Sequence, residues 1–160
     1  MLAKLLLFSA IFSLLALGTA LIGQYGFGLH PCDLCIYQRI PYAIIVIIGI
    51  WGYSVKSLKL QYILAILCSL LFFIDAGIAI YHSGVEMGLF PAPTACSSDG
   101  KIGQSLEEIR AAIFNAPLVT CSQAIFYLFG LSMASWNAIF ASLGFISTVI
   151  TVKKTFKTND

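Results

Sequence analysis

The chain has 160 residues, of which 59% are hydrophobic and 10% are charged, and its mean hydropathy is +0.94. Such a composition cannot give a soluble domain its polar surface, so the sequence predicts an integral membrane protein embedded in a lipid bilayer. The net charge is only +2, and there is no basic cluster or phosphate-binding glycine loop, which argues against nucleic acid as a partner.

Four apolar segments are long enough to cross a bilayer, which takes about 20 residues. We place these spans at about 4–22, 38–55, 61–81 and 133–152, separated on one side by loops at about 23–37 and 82–132. The whole chain, 1–160, is then a single four-span membrane domain. The expected fold is all-α, a four-helix transmembrane bundle.

The uncharged stretch before the end of the chain is longer than one span requires, since it runs from Ser122 to Val152. Gly130 and two nearby serines indicate a break, and Trp136 suits a membrane interface. The last helix is therefore expected to begin at about Met133, with Ala124 to Leu131 in or on the outer leaflet.

The amino terminus also resembles a signal peptide, because Lys4 precedes a leucine-rich stretch and Ala20 could end a cleavage site. The apolar segment continues through Leu21 and Ile22, which makes it longer than the usual signal core of about 7 to 15 residues. We therefore predict that it is retained as the first span, so that both termini lie on the same side.

The basic residues predict which side this is. Six lie on the side of the termini and three on the other: Lys4, Lys56, Lys59, Lys153, Lys154 and Lys157 against Arg39, Lys101 and Arg110. Since basic loops stay in the cytoplasm, we expect the termini there and both cysteine-bearing loops outside. The four loop cysteines then face the oxidising side of the membrane, where disulfides persist.

The first outer loop carries a C-x-x-C motif, Cys32 and Cys35, and then Arg39. Cysteines at this spacing open and close a disulfide with little backbone movement, which indicates redox exchange. If the second helix begins here, Cys35 and Arg39 share one face. A cation and a helix amino terminus both favour a thiolate at Cys35, and Arg39 could also hold the oxygen of an electron acceptor. The alternative is that Arg39 only anchors the helix at the lipid headgroups.

The second outer loop carries Cys96 and Cys121, with 24 residues between them. A disulfide between them would close a long, flexible loop rather than a tight turn. Within the loop, a capping box and one apolar stripe predict a short amphipathic helix over Ser105 to Asn115, which Pro117 prevents from continuing far. This helix either lies flat on the membrane surface or packs on the protein as a solvated loop helix.

The sequence indicates no redox or metal-binding role for the remaining thiol and the histidines. Cys68 lies within the third span, where a buried thiol packs as a small apolar residue. A four-cysteine zinc site needs a second closely spaced pair, which Cys96 and Cys121 do not form in sequence. His30 and His82 have no second ligand at the usual spacing. We therefore predict no metal.

Several segments together resemble the DsbB family of bacterial disulfide bond formation proteins. They are Pro-Cys-Asp-Leu-Cys-Ile-Tyr-Gln-Arg at 31–39, Tyr81-His82 closing the third span, Ala95-Cys96, Thr120-Cys121 and Trp136. A C-x-x-C alone is weak evidence, but C-x-x-C-x-x-x-R at the start of a second span, with two cysteines between spans three and four, is specific. The resemblance covers nearly the whole chain.

This resemblance implies a thiol oxidase of the bacterial inner (cytoplasmic) membrane with four catalytic cysteines. A reduced periplasmic DsbA-like protein would attack a Cys96–Cys121 disulfide through Cys96, and electrons would then pass to a Cys32–Cys35 disulfide.

The resemblance also implies the acceptor, a quinone from the membrane pool, either ubiquinone or menaquinone. Cys35 would deliver the electrons to it, and Arg39 and His82 would help to bind it. DsbA is a strong oxidant at about −120 mV, so that only a still more oxidising acceptor can reoxidise it.

Three acidic residues have no assigned role. Asp33 lies inside the C-x-x-C, where the better-known family members carry an apolar residue, and its charge opposes a thiolate. Asp75 lies within the third span, on about the same face as His82. It could relay protons to reduced quinone with His82, or be a neutral acid hydrogen-bonded to a neighbouring helix or water. Glu86 could lie near the quinone headgroup or in solvent.

Two other functions compete with the quinone-linked oxidase. A relative of vitamin K epoxide reductase would carry its loop cysteines early and its C-x-x-C late, which is the opposite of the order here. A non-enzymatic four-span adaptor would hold two static disulfides that stay oxidised whatever the redox state of the quinone pool. A bridge within C-x-x-C closes too short a loop to stabilise a fold much, which argues against the adaptor.

Overall fold

The computed structural model describes residues 1–93, 107, 121, 122, 124 and 126–159. In this part of the chain there are four long helices, α1 Leu2–Gly26, α2 Asp33–Ser54, α3 Leu58–Glu86 and α4 Met133–Asn159, and a short antiparallel hairpin, β1 Tyr127–Leu128 and β2 Leu131–Ser132. All four helices are long and apolar enough to cross a membrane. The predicted all-α, four-helix membrane fold is confirmed.

The helices run further than the apolar segments that predicted them. α2 begins at Asp33, at the C-x-x-C motif, and α3 continues past Tyr81 to Glu86. Asp33 places a negative charge in the first turn, where the helix dipole favours it. The last turns of α3 stay helical because His82 and its neighbours are buried inside the bundle. Hydropathy identified only the apolar part of each helix. Where each helix enters and leaves the membrane stays a prediction.

The bundle has an apolar core and an apolar outer surface. Leu6, Ile45 and Phe72 are buried at the core, and Cys68 is completely buried among them, where the sequence predicts a packing residue. Outward-facing residues such as Ile47, which is 70% exposed, are also apolar. A surface of this kind needs a lipid environment.

The helices associate as two pairs. α1 packs mainly on α2, α3 packs mainly on α4, and the contact between α2 and α3 joins the pairs. α1 and α4 meet over a much smaller area. The contact with α4 is therefore the smallest of those that α1 makes with the other three helices.

The chain enters α4 through the hairpin. Phe129 (φ 52°) and Gly130 (φ 80°) both have left-handed backbones, which is the geometry of a two-residue type I′ turn. The Trp136 indole donates a hydrogen bond of 3.0 Å to the Leu128 carbonyl and ties the hairpin to α4. The predicted break near Gly130 is confirmed, although the sequence did not predict strands. The placement of Ala124 to Leu131 in or on the outer leaflet stays a prediction.

Several predictions fall outside the described residues. These are the short helix over Ser105 to Asn115, of which only Glu107 is described and is helical, the pairing of Cys96, and the positions of Lys101 and Arg110.

A glycine on α2 allows the close contact with α1. A Cβ added to Gly49 would collide with the Leu6 carbonyl oxygen and lie 2.7 Å from the Ala10 Cβ. Overpacking of this kind costs about 1–3 kcal/mol. We expect Gly49→Ala to lower the midpoint of thermal unfolding in detergent. Gly77→Ala is the matched control, because nothing lies within 4 Å of its added Cβ. Equal losses in the two variants would contradict this packing.

Candidate active site

The C-x-x-C motif forms a close dithiol at the start of α2. Cys32 occupies the position that caps the helix, and Cys35 lies in its first turn. Cys32 Sγ donates a hydrogen bond of 3.1 Å to Cys35 Sγ. A disulfide is about 2.05 Å long, so the sulfurs need to approach by only about 1 Å to bond. The unpaired N–H groups of the first turn favour negative charge on Cys35.

His82 comes from the end of α3 and meets this pair from the other side. Its Nε2 lies 3.5 Å from Cys32 Sγ, and its Nδ1 lies 3.2 Å from the amide nitrogen of Gln38. Because an amide N–H can only donate, Nδ1 accepts and the proton of the neutral ring lies on Nε2. That N–H points toward Cys32, and the Glu86 carboxylate is 3.8 Å from the same nitrogen.

The two thiols of the pair are not equivalent. The hydrogen bond to the Cys35 sulfur and, after it, burial raise the pKa of Cys32 to about 12, although the hydrogen bond with His82 acts in the opposite direction. When the reduced pair loses one of its two protons, it therefore keeps the other on Cys32. The negative charge lies on Cys35, which is half-buried whereas Cys32 is buried.

One face of α2 continues from the dithiol into a cavity of about 410 Å³. Four residues of this face line it, at the i, i+3, i+4 and i+7 spacing of one helical surface: Cys35, Gln38, Arg39 and Tyr42. The predicted shared face of Cys35 and Arg39 is therefore present. The Arg39 guanidinium donates to the side-chain oxygen of Gln24 on α1, which fixes it at the wall of the cavity.

The other walls come from the remaining helices and the hairpin. α1 contributes small residues one turn apart, Ala16, Ala20 and Gly23, which leave the space that larger side chains would fill. α3 contributes His82, and α4 contributes mainly aromatic and polar residues that include Asn137. The cavity lies where α1 and α4 make few contacts with each other.

The remaining cysteines of the outer loops differ in what the structure describes. Cys121 is 1% exposed and packs in a small apolar cluster with Cys32, Leu34 and Val85, against which Cys35 also packs. One of the two cysteines of the long loop, Cys121, therefore lies beside the C-x-x-C pair. Cys96 lies outside the described residues.

Asp75 contacts a neighbouring helix, as one of the two sequence hypotheses expects, whereas its neutral state and the proton relay with His82 stay predictions. It is completely buried, and its Oδ2 accepts a hydrogen bond of 3.3 Å from the Asn137 amide of α4. Asp75 is therefore hydrogen-bonded to a neighbouring helix. The hydrogen bonds of His82 go instead to Gln38 and Cys32.

Sequence reasoning missed two kinds of contact. Gln24, Gln38 and Asn137 received no role, although Gln38 is three residues from Cys35 and a polar residue next to an apolar span is a usable signal. Three potential metal ligands, Cys32, Cys35 and His82, also offer atoms within 4.8 Å of one another. The prediction of no metal relied on sequence spacing and did not anticipate this cluster, because His82 is 50 residues from Cys32.

A model of the family described as Disulfide bond formation protein DsbB matches residues 3–151. The chain belongs to the DsbB family. A disulfide bond formation protein B of Pasteurella multocida (strain Pm70) is 33% identical over 144 residues, which are 88% of this chain and 79% of the relative. One of Haemophilus influenzae (strain 86-028NP) is 32% identical over 156 residues, 92% of this chain and 85% of the relative.

A third relative is an uncharacterized protein of Rickettsia prowazekii (strain Madrid E), 31% identical over 129 residues, 79% of this chain and 74% of the relative. As a DsbB-family chain, the protein is a multi-pass membrane protein of disulfide bond formation, and its activity is that of a disulfide oxidoreductase.

The inequality of the two thiols predicts their order of alkylation. With a pKa of about 12, only about one Cys32 in 10,000 is ionised at pH 8, and only the thiolate reacts. We expect limiting iodoacetamide to modify Cys35 of the reduced protein at least about tenfold faster than Cys32, measured by peptide mass spectrometry. Unfolding in guanidinium should equalise the rates. Faster modification of Cys32 in the folded protein would contradict the assignment.

Proposed function

We propose that this DsbB-family protein reoxidises a periplasmic DsbA-like dithiol protein and passes the electrons through its two cysteine pairs to ubiquinone or menaquinone. It would do so in the bacterial inner membrane, with both termini in the cytoplasm and the cysteine loops in the periplasm. The observation that carries the proposal is that Cys35 and Arg39 line the same cavity.

The properties of the cavity fit a quinone headgroup. Its volume of about 410 Å³ is within the range of small-molecule sites, and its walls are mainly apolar with few polar groups. Its position beside the small contact between α1 and α4 is where a lipid-soluble molecule would enter from the bilayer. When bound, a quinone supplies a two-electron acceptor that no side chain of this cluster provides.

Thiol exchange would bring the electrons to Cys35. The partner's thiolate attacks Cys96 and forms a mixed disulfide with it, which breaks the Cys96–Cys121 bond and releases Cys121 as a thiolate. Cys121 then attacks Cys32, so that a Cys32–Cys121 bond forms while the Cys32–Cys35 bond breaks and Cys35 leaves as the thiolate. The burial of Cys32 and Cys121 in one cluster supports this choice of sulfur. The partner's second thiol then releases Cys96 from the mixed disulfide, Cys96 attacks Cys121 and frees Cys32, and the Cys32–Cys35 bond reforms as two electrons and two protons pass to the acceptor.

The other polar residues of the site would prepare Cys35 and the acceptor. Arg39, held by Gln24, places a positive charge where it stabilises a thiolate at Cys35 and an oxygen that gains negative charge. The Nε2–H of His82 donates toward Cys32, which stabilises the sulfur that must accept attack and leave again. His82 and Glu86 together can hold a proton at the cavity wall.

The non-enzymatic adaptor remains the alternative function. It requires that the C-x-x-C bridge be static, although the pair lies beside a cavity and one cysteine is half-buried rather than sealed in the core. A relative of vitamin K epoxide reductase is disfavoured because the family match extends over residues 3–151 with the cysteine order of this chain.

An anaerobic assay tests the proposal. The purified protein with its membrane quinone is mixed with a reduced DsbA-like protein, and quinone reduction is followed optically. We expect reduction by the parent, loss of it in Cys35→Ala, and a rate lower by about 10- to 100-fold in Arg39→Gln, since a charge-assisted hydrogen bond contributes about 1.5–3 kcal/mol.

Cys68→Ala is the matched control, because Cys68 lies in the core away from the cavity, and it should keep the parent rate. An inactive parent, with partner and quinone verified on a known oxidase, would contradict the proposal and favour the adaptor.

A further inference from the structure

Beyond the dithiol, a chain of three polar side chains, two buried (Tyr42 and Asp75) and one half-buried (Asn137), joins three helices at the inner end of the cavity. The Tyr42 hydroxyl of α2 donates a hydrogen bond of 2.7 Å to Asn137 Oδ1 of α4, and Asn137 Nδ2 donates one of 3.3 Å to Asp75 Oδ2 of α3. Buried polar groups inside a membrane protein are costly, and three in contact call for an explanation beyond packing. We name Tyr42, Asn137 and Asp75 the polar triad.

The triad meets the cavity with two of its members. Tyr42 and Asn137 line the cavity, and Asp75 lies behind them, completely buried. Asp75 is thus placed to act on the cavity through Asn137 rather than by touching a bound molecule.

The hydrogen bonds of the triad fix which way the Asn137 amide faces. Its oxygen accepts from the Tyr42 hydroxyl, and one of its two N–H groups donates to Asp75. If the amide rotated by half a turn, its oxygen would lose the Tyr42 hydroxyl donor and would face Asp75, where two acceptors would meet as long as the carboxyl is ionised. The second N–H of Asn137 is left to donate. A quinone carbonyl only accepts, so the donor matches it.

The triad lies at a different depth from Arg39. Tyr42 follows Arg39 by three residues and Cys35 by seven, which puts it about 4.5 Å and 10 Å further along the axis of α2. A quinone carries its two oxygens on opposite edges of the ring. Donors at two depths can therefore hold one oxygen each and fix the ring relative to Cys35.

We propose that the polar triad is a second anchor for the quinone, in which Asn137 donates to the oxygen farther from Cys35 while Asp75 and Tyr42 position the amide. This rests on the proposed quinone site. A hydrogen bond to that oxygen withdraws electron density from the ring, which makes it a better acceptor for electrons from Cys35.

Binding to the oxidised protein tests the anchor without electron transfer. Quinone labelled with 13C at one carbonyl and then at the other is bound to the parent, and infrared difference spectra report the hydrogen bonding of each. We expect both carbonyl bands of the parent to lie below the frequency of free quinone. Asn137→Leu should return one band to the free frequency, and Arg39→Gln should return the other.

Variants of Asp75 distinguish its effect on the orientation of the Asn137 amide from its effect on the packing of the helices. Asp75→Asn keeps an acceptor oxygen for the Asn137 N–H and should leave both bands at the parent frequency, whereas Asp75→Leu should reproduce the spectrum of Asn137→Leu. In turnover, Asn137→Leu and Asp75→Leu should raise the quinone KM about tenfold, with thiol exchange with the partner unchanged.

Thr148→Val is the matched control, because Thr148 is buried in α4 and, among the described residues, hydrogen-bonds only to carbonyls of its own helix. Tyr42→Phe tests the anchor again if Asp75→Leu does not fold, because freeing the amide should broaden the affected band. Parent-like spectra in Asn137→Leu would overturn the anchor. An absence of electron transfer in a parent whose carbonyl bands are shifted would overturn the proposed function instead.

Discussion

Lipid offers no hydrogen bonds, so a polar side chain within the membrane is stabilised by a partner inside the bundle. The rest of the site depends on this constraint, because α2 carries one polar face in an otherwise apolar helix. Each polar residue of that face meets a polar residue of a different helix: Gln38 meets His82 of α3, Arg39 meets Gln24 of α1 and Tyr42 meets Asn137 of α4. These three contacts set the rotation of α2 and turn Cys35 toward the cavity.

The two sulfurs of the dithiol differ in their burial and in their neighbours. Cys32 is buried beside His82 and Cys121, and in the proposed mechanism it is the sulfur that exchanges disulfides with the long loop. Cys35 lies one turn further on, half-buried at the cavity, where the helix amino terminus favours its thiolate. Both cysteines line the apolar cavity and both contact the cluster that contains Cys121, which suits the proposed transfer of electrons from a periplasmic dithiol to a membrane quinone.

Much of this organisation could be predicted from the sequence. Hydropathy gave the four helices, and the i, i+4 spacing gave the shared face of Cys35 and Arg39, because both depend on local periodicity. The contact of His82 with Cys32 could not be predicted, since it depends on how α3 packs against α2 across 50 residues of sequence. The hydrogen-bond partner of Asp75 could not be predicted either, because Asn137 lies on the last helix and only the fold brings the two residues together.

The central claim is that the redox state of the cysteines follows the quinone pool. Its most direct test is to trap thiols with a mass-shifting alkylating reagent in membranes depleted of quinone and in the same membranes after quinone is restored, with a reduced DsbA-like protein present. The account predicts that the Cys32 and Cys35 thiols accumulate without quinone and return to disulfides when it is added. Cysteines that stay oxidised in both membranes would contradict it and identify static bridges.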